Sequence, residues 1–170
     1  IEADSLYAGI MIDTNNFLTK TGVRTFEAAA FLRRCGADVT RVRKMFREHV
    51  EDYRAKGEAI RNAELFRDHF AISVCPSEGL DSPTVVGAQA ANELLNIIGV
   101  KASFVLTDYR NTIYISARSI DEINVQIVME RLGGGGHLNI AGAQLEHYSI
   151  AEARDVLKQT LQKMLDEGDI

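Results

Sequence analysis

Two β-rich runs, Ala102 to Thr107 and Thr112 to Ser116, are separated by Asp108-Tyr109-Arg110-Asn111. Both runs are dense in β-branched and aromatic residues, and the link between them carries Asp and Asn, so they predict two antiparallel strands joined by a hairpin. A hairpin cannot hold itself in water; it needs further strands and something to cover its apolar side. The surrounding sequence offers both. Phe70 to Val74 and Ala143 to Tyr148 read as further strands. Ser82-Pro83 opens a helix through Ile98, with Pro83 at the first helical position and Gly99 just beyond the end. Asn124 caps a helix from Val125 to Leu132, and Ser149 caps a final amphipathic helix with Ala151, Ala153, Val156, Leu157, Leu161 and Leu165 as its apolar positions. Strands and helices alternate after residue 70, which predicts an α/β unit: a mixed β-sheet with packed helices.

The first part of the chain has helical periodicity alone. Residues 3–13 read as a mostly buried helix through Leu6, Ile10 and Met11, and Asn15-Asn16 as a turn. Thr25 is the expected cap of a helix from Phe26 to Arg34, with Gly36 at its end. Asp38 or Thr40 then caps a long charged helix from Arg41 to Arg67, interrupted at Gly57, with Val42, Met45, Phe46, His49, Val50 and Tyr53 as its stripe. The expected division is residues 1–57 and 58–170.

The net charge is −5. A general binder of long nucleic acid carries a basic excess, which is missing here, but a local basic pocket for a small anion is compatible with that charge. Cys35 and Cys75 show no CxxC spacing and read as two buried, reduced thiols rather than zinc ligands. There is no uninterrupted apolar run of about 18 residues, so this segment is not expected to contact a membrane. The chain reads as a piece of a larger protein.

The glycine run Gly133-Gly134-Gly135-Gly136, followed by His137, is costly in conformational entropy. Such a run suits a backbone that approaches something closely. His137 to Ala141 reads as a new helical turn, whose free N–H groups would suit a phosphate, with His137 as an added donor. The competing reading is a flexible turn beside a histidine. There is no GxGxxG in a dinucleotide-fold setting and no Gly-Lys-Ser/Thr, which disfavours dinucleotide cofactors and P-loop chemistry. Arg118, followed by Ser119, lies at the end of the second hairpin strand; it is either a planar fork for phosphate or a surface arginine in a salt bridge. Asn124 is explained by its helix cap.

Tyr114 to Ser119, then Asn124-Val125, then Leu132 to His137 and Ala141-Gly142 resemble the DHH-associated domain. Ala8 to Phe17, followed by Thr21 to Ala29, resembles the last motif of the DHH domain. The two motifs stand in the family's order and cover nearly the whole chain, and their wording is most similar to the GdpP-type cyclic di-AMP phosphodiesterases. This resemblance implies a DHH-associated substrate-binding domain preceded by the helical end of a DHH catalytic domain. It implies an enzyme that uses two metal ions, usually manganese, to hydrolyse cyclic di-AMP to pApA. It also implies a parent anchored in the bacterial cell membrane with this segment in the cytoplasm, an upstream DHH domain as partner, and homodimer formation. Asp13 matches the family's last metal-ligand aspartate. His137 and the four glycines match its substrate loop, and Arg118 and Ser119 the strand end beside that loop. Arg24 and Thr25 follow in the motif with structural roles. The family's earlier aspartate pair and its Asp-His-His triplet are absent, and His49, His69 and His147 do not replace them. One ligand cannot hold two metals, so the chain alone is expected to be inactive. The alternatives are an oligoribonuclease or pyrophosphatase of the same family, and a non-catalytic nucleic-acid-binding module.

Overall fold

The computed structural model describes residues 1–170, which gather into two compact units, Ile1–Glu48 and His49–Ile170. The sequence boundary after residue 57 falls inside a helix of the second unit.

The first unit contains α1 (Glu2–Asp13), α2 (Val23–Arg34) and α3 (Val39–Met45). Its buried apolar residues are few and mostly small: Ala8, Ala29, Leu32, Ala37 and Val42. The expected burial of Leu6 is not found; it is 62% exposed, and α1 turns Asp4 and Ala8 inward. Asp4 is the polar centre of this unit. Its carboxylate accepts from Arg41 Nε at 2.7 Å and from the Asp38 backbone N–H at 2.7 Å. Asp38 in turn caps α3, accepting from Thr40 N–H at 2.7 Å. On α2 the cap is Gly22 rather than Thr25; Thr25 sits three residues in, where its hydroxyl accepts from Gly22 N–H.

The hydrogen bond from Arg41, then that from Asp38, holds the Asp4 carboxyl at about 2, below its ordinary 3.8. A lowered folded pKa stabilises the charged folded form above pH 3.8, and that stabilisation is lost as pH falls through about 2. Urea unfolding measured from pH 5 to pH 2 should therefore show a decline that Asp4→Asn flattens while lowering stability at pH 5. An unchanged pH profile in Asp4→Asn would contradict the assignment.

The long helix expected over 41–67 is two helices. α3 stops at Met45, and α4 (Val50–Arg61) starts after His49, whose backbone is extended. Of the expected stripe only Val42 is buried; Tyr53 is 61% exposed. α4 instead packs within the second unit through Ala55 and Ala59, small residues that allow close approach. The Ser73 hydroxyl donates to Ala59 O and ties this helix to the sheet.

The second unit is built on six strands: β1 (Glu64–Phe66), β2 (Phe70–Cys75), β3 (Ala102–Tyr109), β4 (Thr112–Ser119), β5 (Gly135–His137) and β6 (Ile140–Glu146). Their order is β1-β2-β3-β4-β6-β5. All neighbours are antiparallel except β2 and β3, and that parallel pair is joined by a crossover containing α5 (Pro83–Leu94). The expected hairpin is β3–β4, with Arg110 and Asn111 in positive φ at its tip. β3 is buried on both faces from Ala102 to Thr107, which explains why it lacks the charged alternation of a half-exposed strand.

The two sheet faces carry separate cores. One holds Phe70, Phe104, Leu106, Ile113 and Ile115, packed with Val128 and Met129 of α6 (Val125–Arg131) and Leu157 and Leu161 of α7 (Ile150–Glu167). The other holds Ala71, Cys75 and Val105 under Ala55 and Ala59 of α4 and Ala90, Ala91 and Leu94 of α5. The Ser103 hydroxyl donates to Ala91 O at 2.6 Å, anchoring α5. Burial in this second core pushes the Cys75 thiol up to about 11, with Glu58 adding to the shift. Cys35, expected to be buried as well, is exposed.

Candidate substrate-binding face

Side chains alternate along a strand, so every second residue of β4 shares a face with α5. Thr112, Tyr114, Ser116 and Arg118 are half-buried on that face, while Ile113, Ile115, Ala117 and Ser119 are buried on the other. α5 packs on β2, β3 and β4 of this face, and Asn92 of α5 reaches Arg118 of β4. An open cleft of about 480 Å³ lies on the same face, lined by Thr84, Tyr114, Ser116, Gly135, Gly142 and Gln144 among others.

The strand register sorts this face into three rows. Arg118 stands opposite Ile140, and Ile140 opposite His137. Ser116 stands opposite Gly142, and Gly142 opposite Gly135. Tyr114 stands opposite Gln144. A row with Arg118 at one end, Ile140 in the middle and His137 at the other end thus borders a row of very small residues, which borders an aromatic and amide row. Successive rows are roughly 7 Å apart, two residues along a strand.

The glycine run does not begin a helix; it ends one and then forms the edge strand. Gly133 has φ +78 and stands just past α6: Gly133 N–H donates to Glu130 O and Gly134 N–H to Met129 O, the paired bonds of a Schellman helix stop. Gly134 then passes hard against β6. A Cβ there would fall 2.1 Å from Gly142 O and 2.7 Å from Ala143 Cα. Gly136 makes a similar approach to Ala141. Gly135 has no such reason: a Cβ on it would meet nothing within 4 Å, because it looks into the cleft. The expected helical turn over 137–141 is the β5–β6 hairpin. No helix dipole aims at the cleft from there; the outer side of β5 is a sheet edge with no further strand paired to it.

Beyond these rows Glu146 ends the far side of this face, opposite Thr112, and Arg118 is the cation of the face. The Arg118 guanidinium donates through Nε to Asn92 Oδ1 of α5 at 3.1 Å and through one terminal nitrogen to Ala117 O at 2.9 Å. It has no carboxylate partner, and burial lowers its pKa. A half-buried guanidinium held by neutral groups keeps donors for an anion, and its planar fork suits phosphate. His137, exposed at the end of β5, shares its row. Ser119 does not join them. It lies on the opposite face, 6% exposed, and its hydroxyl is 3.3 Å from Asn139 Oδ1 in the hairpin turn. Asn124 serves as a cap, accepting from Gln126 N–H. The structure therefore places Arg118, His137 and Gly135 on one face, with Ile140 between the first two and Gly135 alone lining the cleft. It adds Thr84, Tyr114, Ser116 and Gln144, which sequence reasoning missed although the alternation of β4 placed Tyr114 and Ser116 on one face with Arg118.

Asp13 is the exposed last residue of α1 in the first unit. No group of three or more His, Cys, Asp and Glu side chains lies close enough to hold a metal ion. The donor set present does not by itself fit a two-metal centre.

Residues 69–163 match the DHHA1 domain family. Over 158 residues the chain is 44% identical to the cyclic-di-AMP phosphodiesterase PdeA of Listeria monocytogenes, covering 92% of this chain and 24% of that protein. It is 43% identical to the cyclic-di-AMP phosphodiesterase GdpP of Bacillus subtilis, covering 99% of this chain and 26% of that one. The chain thus spans about a quarter of the length of these relatives. Among solved structures, an exopolyphosphatase-related protein from Bacteroides fragilis superposes with a TM-score of 0.84 at 24% identity, covering 95% of this chain and 50% of that one, a likeness of fold.

Proposed function

The chain belongs to the DHHA1 domain family, and from that footing we propose that it is the substrate-binding lobe of a phosphodiesterase that hydrolyses cyclic di-AMP to pApA. The observation that carries the reading is Arg118: a half-buried cation without an acid partner, in one row with His137, beside a cleft kept open by glycine. The similarity to relatives named as cyclic-di-AMP phosphodiesterases supplies the substrate class. In this reading Arg118 and His137 hold a phosphodiester, and Gly135 lets the sugar-phosphate backbone approach the sheet. Catalysis by metal ions, manganese in this proposal, belongs to the remainder of the parent, with Asp13 contributing one ligand. The parent's membrane anchor and homodimer contacts belong to the same proposal; no helix of this chain is long and apolar enough to cross a membrane.

The test is an assay of cyclic di-AMP with manganese, reading pApA by chromatography. The full parent should produce pApA, and this chain alone should produce none. Turnover by the chain alone would overturn the division of labour, and failure of the active parent to cleave cyclic di-AMP would overturn the substrate.

A further inference from the structure

The row beyond the glycines contains hydrogen-bonding groups that a phosphate site leaves unused. Tyr114 and Gln144 stand opposite each other on β4 and β6, with Cβ atoms roughly 4.5–5.5 Å apart as cross-strand neighbours. Both line the cleft, and Thr84 closes it from the start of α5. Neither the Tyr114 hydroxyl nor the Gln144 amide makes a hydrogen bond within the chain, and the same holds for the Thr84 and Ser116 hydroxyls. The Tyr114 ring is braced by Tyr109, centroid to centroid 6.5 Å at 51°. The row lies about 13 Å from Arg118, four residues along the strand, with only small side chains between.

An aromatic face beside an amide is a combination that recognises a nucleobase. Stacking on the ring gives affinity for any base, whereas hydrogen bonds to the base edge give identity. A glutamine amide presents one donor beside one acceptor. That matches adenine, which shows an amino donor at N6 next to the N7 acceptor; guanine shows two acceptors there, and the amide can satisfy only one. We propose that Tyr114 and Gln144 form the base subsite of this face, and that Gln144 selects adenine over guanine. The proposal rests on the nucleotide-binding reading of the same face. It adds which residues read the base.

Calorimetric titration of the 170-residue chain with the linear dinucleotides pApA and pGpG tests it, with circular dichroism to confirm that each variant folds. The wild-type chain should favour pApA by about tenfold or more, and Gln144→Leu should reduce that preference below about threefold. Gln144→Arg, which presents donors alone, should turn the preference toward pGpG. Tyr114→Ala should weaken both ligands by about tenfold. Wild-type binding of pApA with the preference intact in Gln144→Leu would overturn the base subsite and leave the phosphate reading standing; so would equal wild-type affinity for the two ligands. Failure of the wild-type chain to bind either dinucleotide would overturn both.

Discussion

Gly134→Ala should cost the second unit about 1–3 kcal/mol and weaken pApA binding by about tenfold or more, because an overpacked site must move its backbone. The added methyl would meet Gly142 O at 2.1 Å and Ala143 Cα at 2.7 Å, and no flexible side chain is there to swing aside. β6 is fixed between two neighbours, so β5, the edge strand, is the element that yields. Its displacement breaks the pairing of Gly135 with Gly142 and of His137 with Ile140, and removes His137 from the row of Arg118. Gly135→Ala provides the contrast. A Cβ there meets nothing within 4 Å and its φ is ordinary, so its stability should stay within about 0.5 kcal/mol of wild type. Its binding should fall nonetheless, because the methyl enters the cleft. Thermal unfolding and pApA titration of the two variants check this; a destabilised Gly135→Ala, or a Gly134→Ala that folds and binds like wild type, would contradict the packing described here.

Arg118→Ala should weaken pApA binding by roughly ten- to a hundredfold, the effect of about 1.5–3 kcal/mol for hydrogen bonds to a charged group. The fold should lose little. The bonds removed go to Asn92 Oδ1 and Ala117 O, both neutral acceptors at a partly solvated face. Because Arg118 has no ion pair, its removal strands no buried carboxylate. Arg118→Lys should recover part of the affinity, since it keeps the charge and loses the two-pronged geometry. Equal affinity in Arg118→Ala would place the anion elsewhere.

Much of the second unit was legible in the sequence because its signals are local. The β3–β4 hairpin follows from two β-branched runs around a four-residue link, and the Ser149 and Asn124 caps from their side chains. The glycine run misled because nothing local marks a three-residue strand of Gly-Gly-His. Its pairing with Ile140 to Gly142 is a tertiary fact, and its tight contacts lie on the partner strand's backbone. Ser119 was grouped with Arg118 by adjacency, although strand alternation sends neighbours to opposite faces. Tyr114 was available from the same alternation, but Gln144 needed the register of β6. The Asp4–Arg41 pair joins residues 37 apart and left no trace in any local pattern. The long charged helix failed for a related reason: α4 buries alanines rather than the large apolar residues that a stripe search favours.

The most direct test of the central claim is calorimetry of the 170-residue chain with pApA, run beside a structured RNA at low and high salt. A substrate-binding lobe should bind pApA saturably at one site, lose that binding in Arg118→Ala, and show no comparable affinity for the RNA. Absence of saturable pApA binding, with salt-dependent binding of the RNA in its place, would contradict the account and identify the chain as a nucleic-acid-binding module.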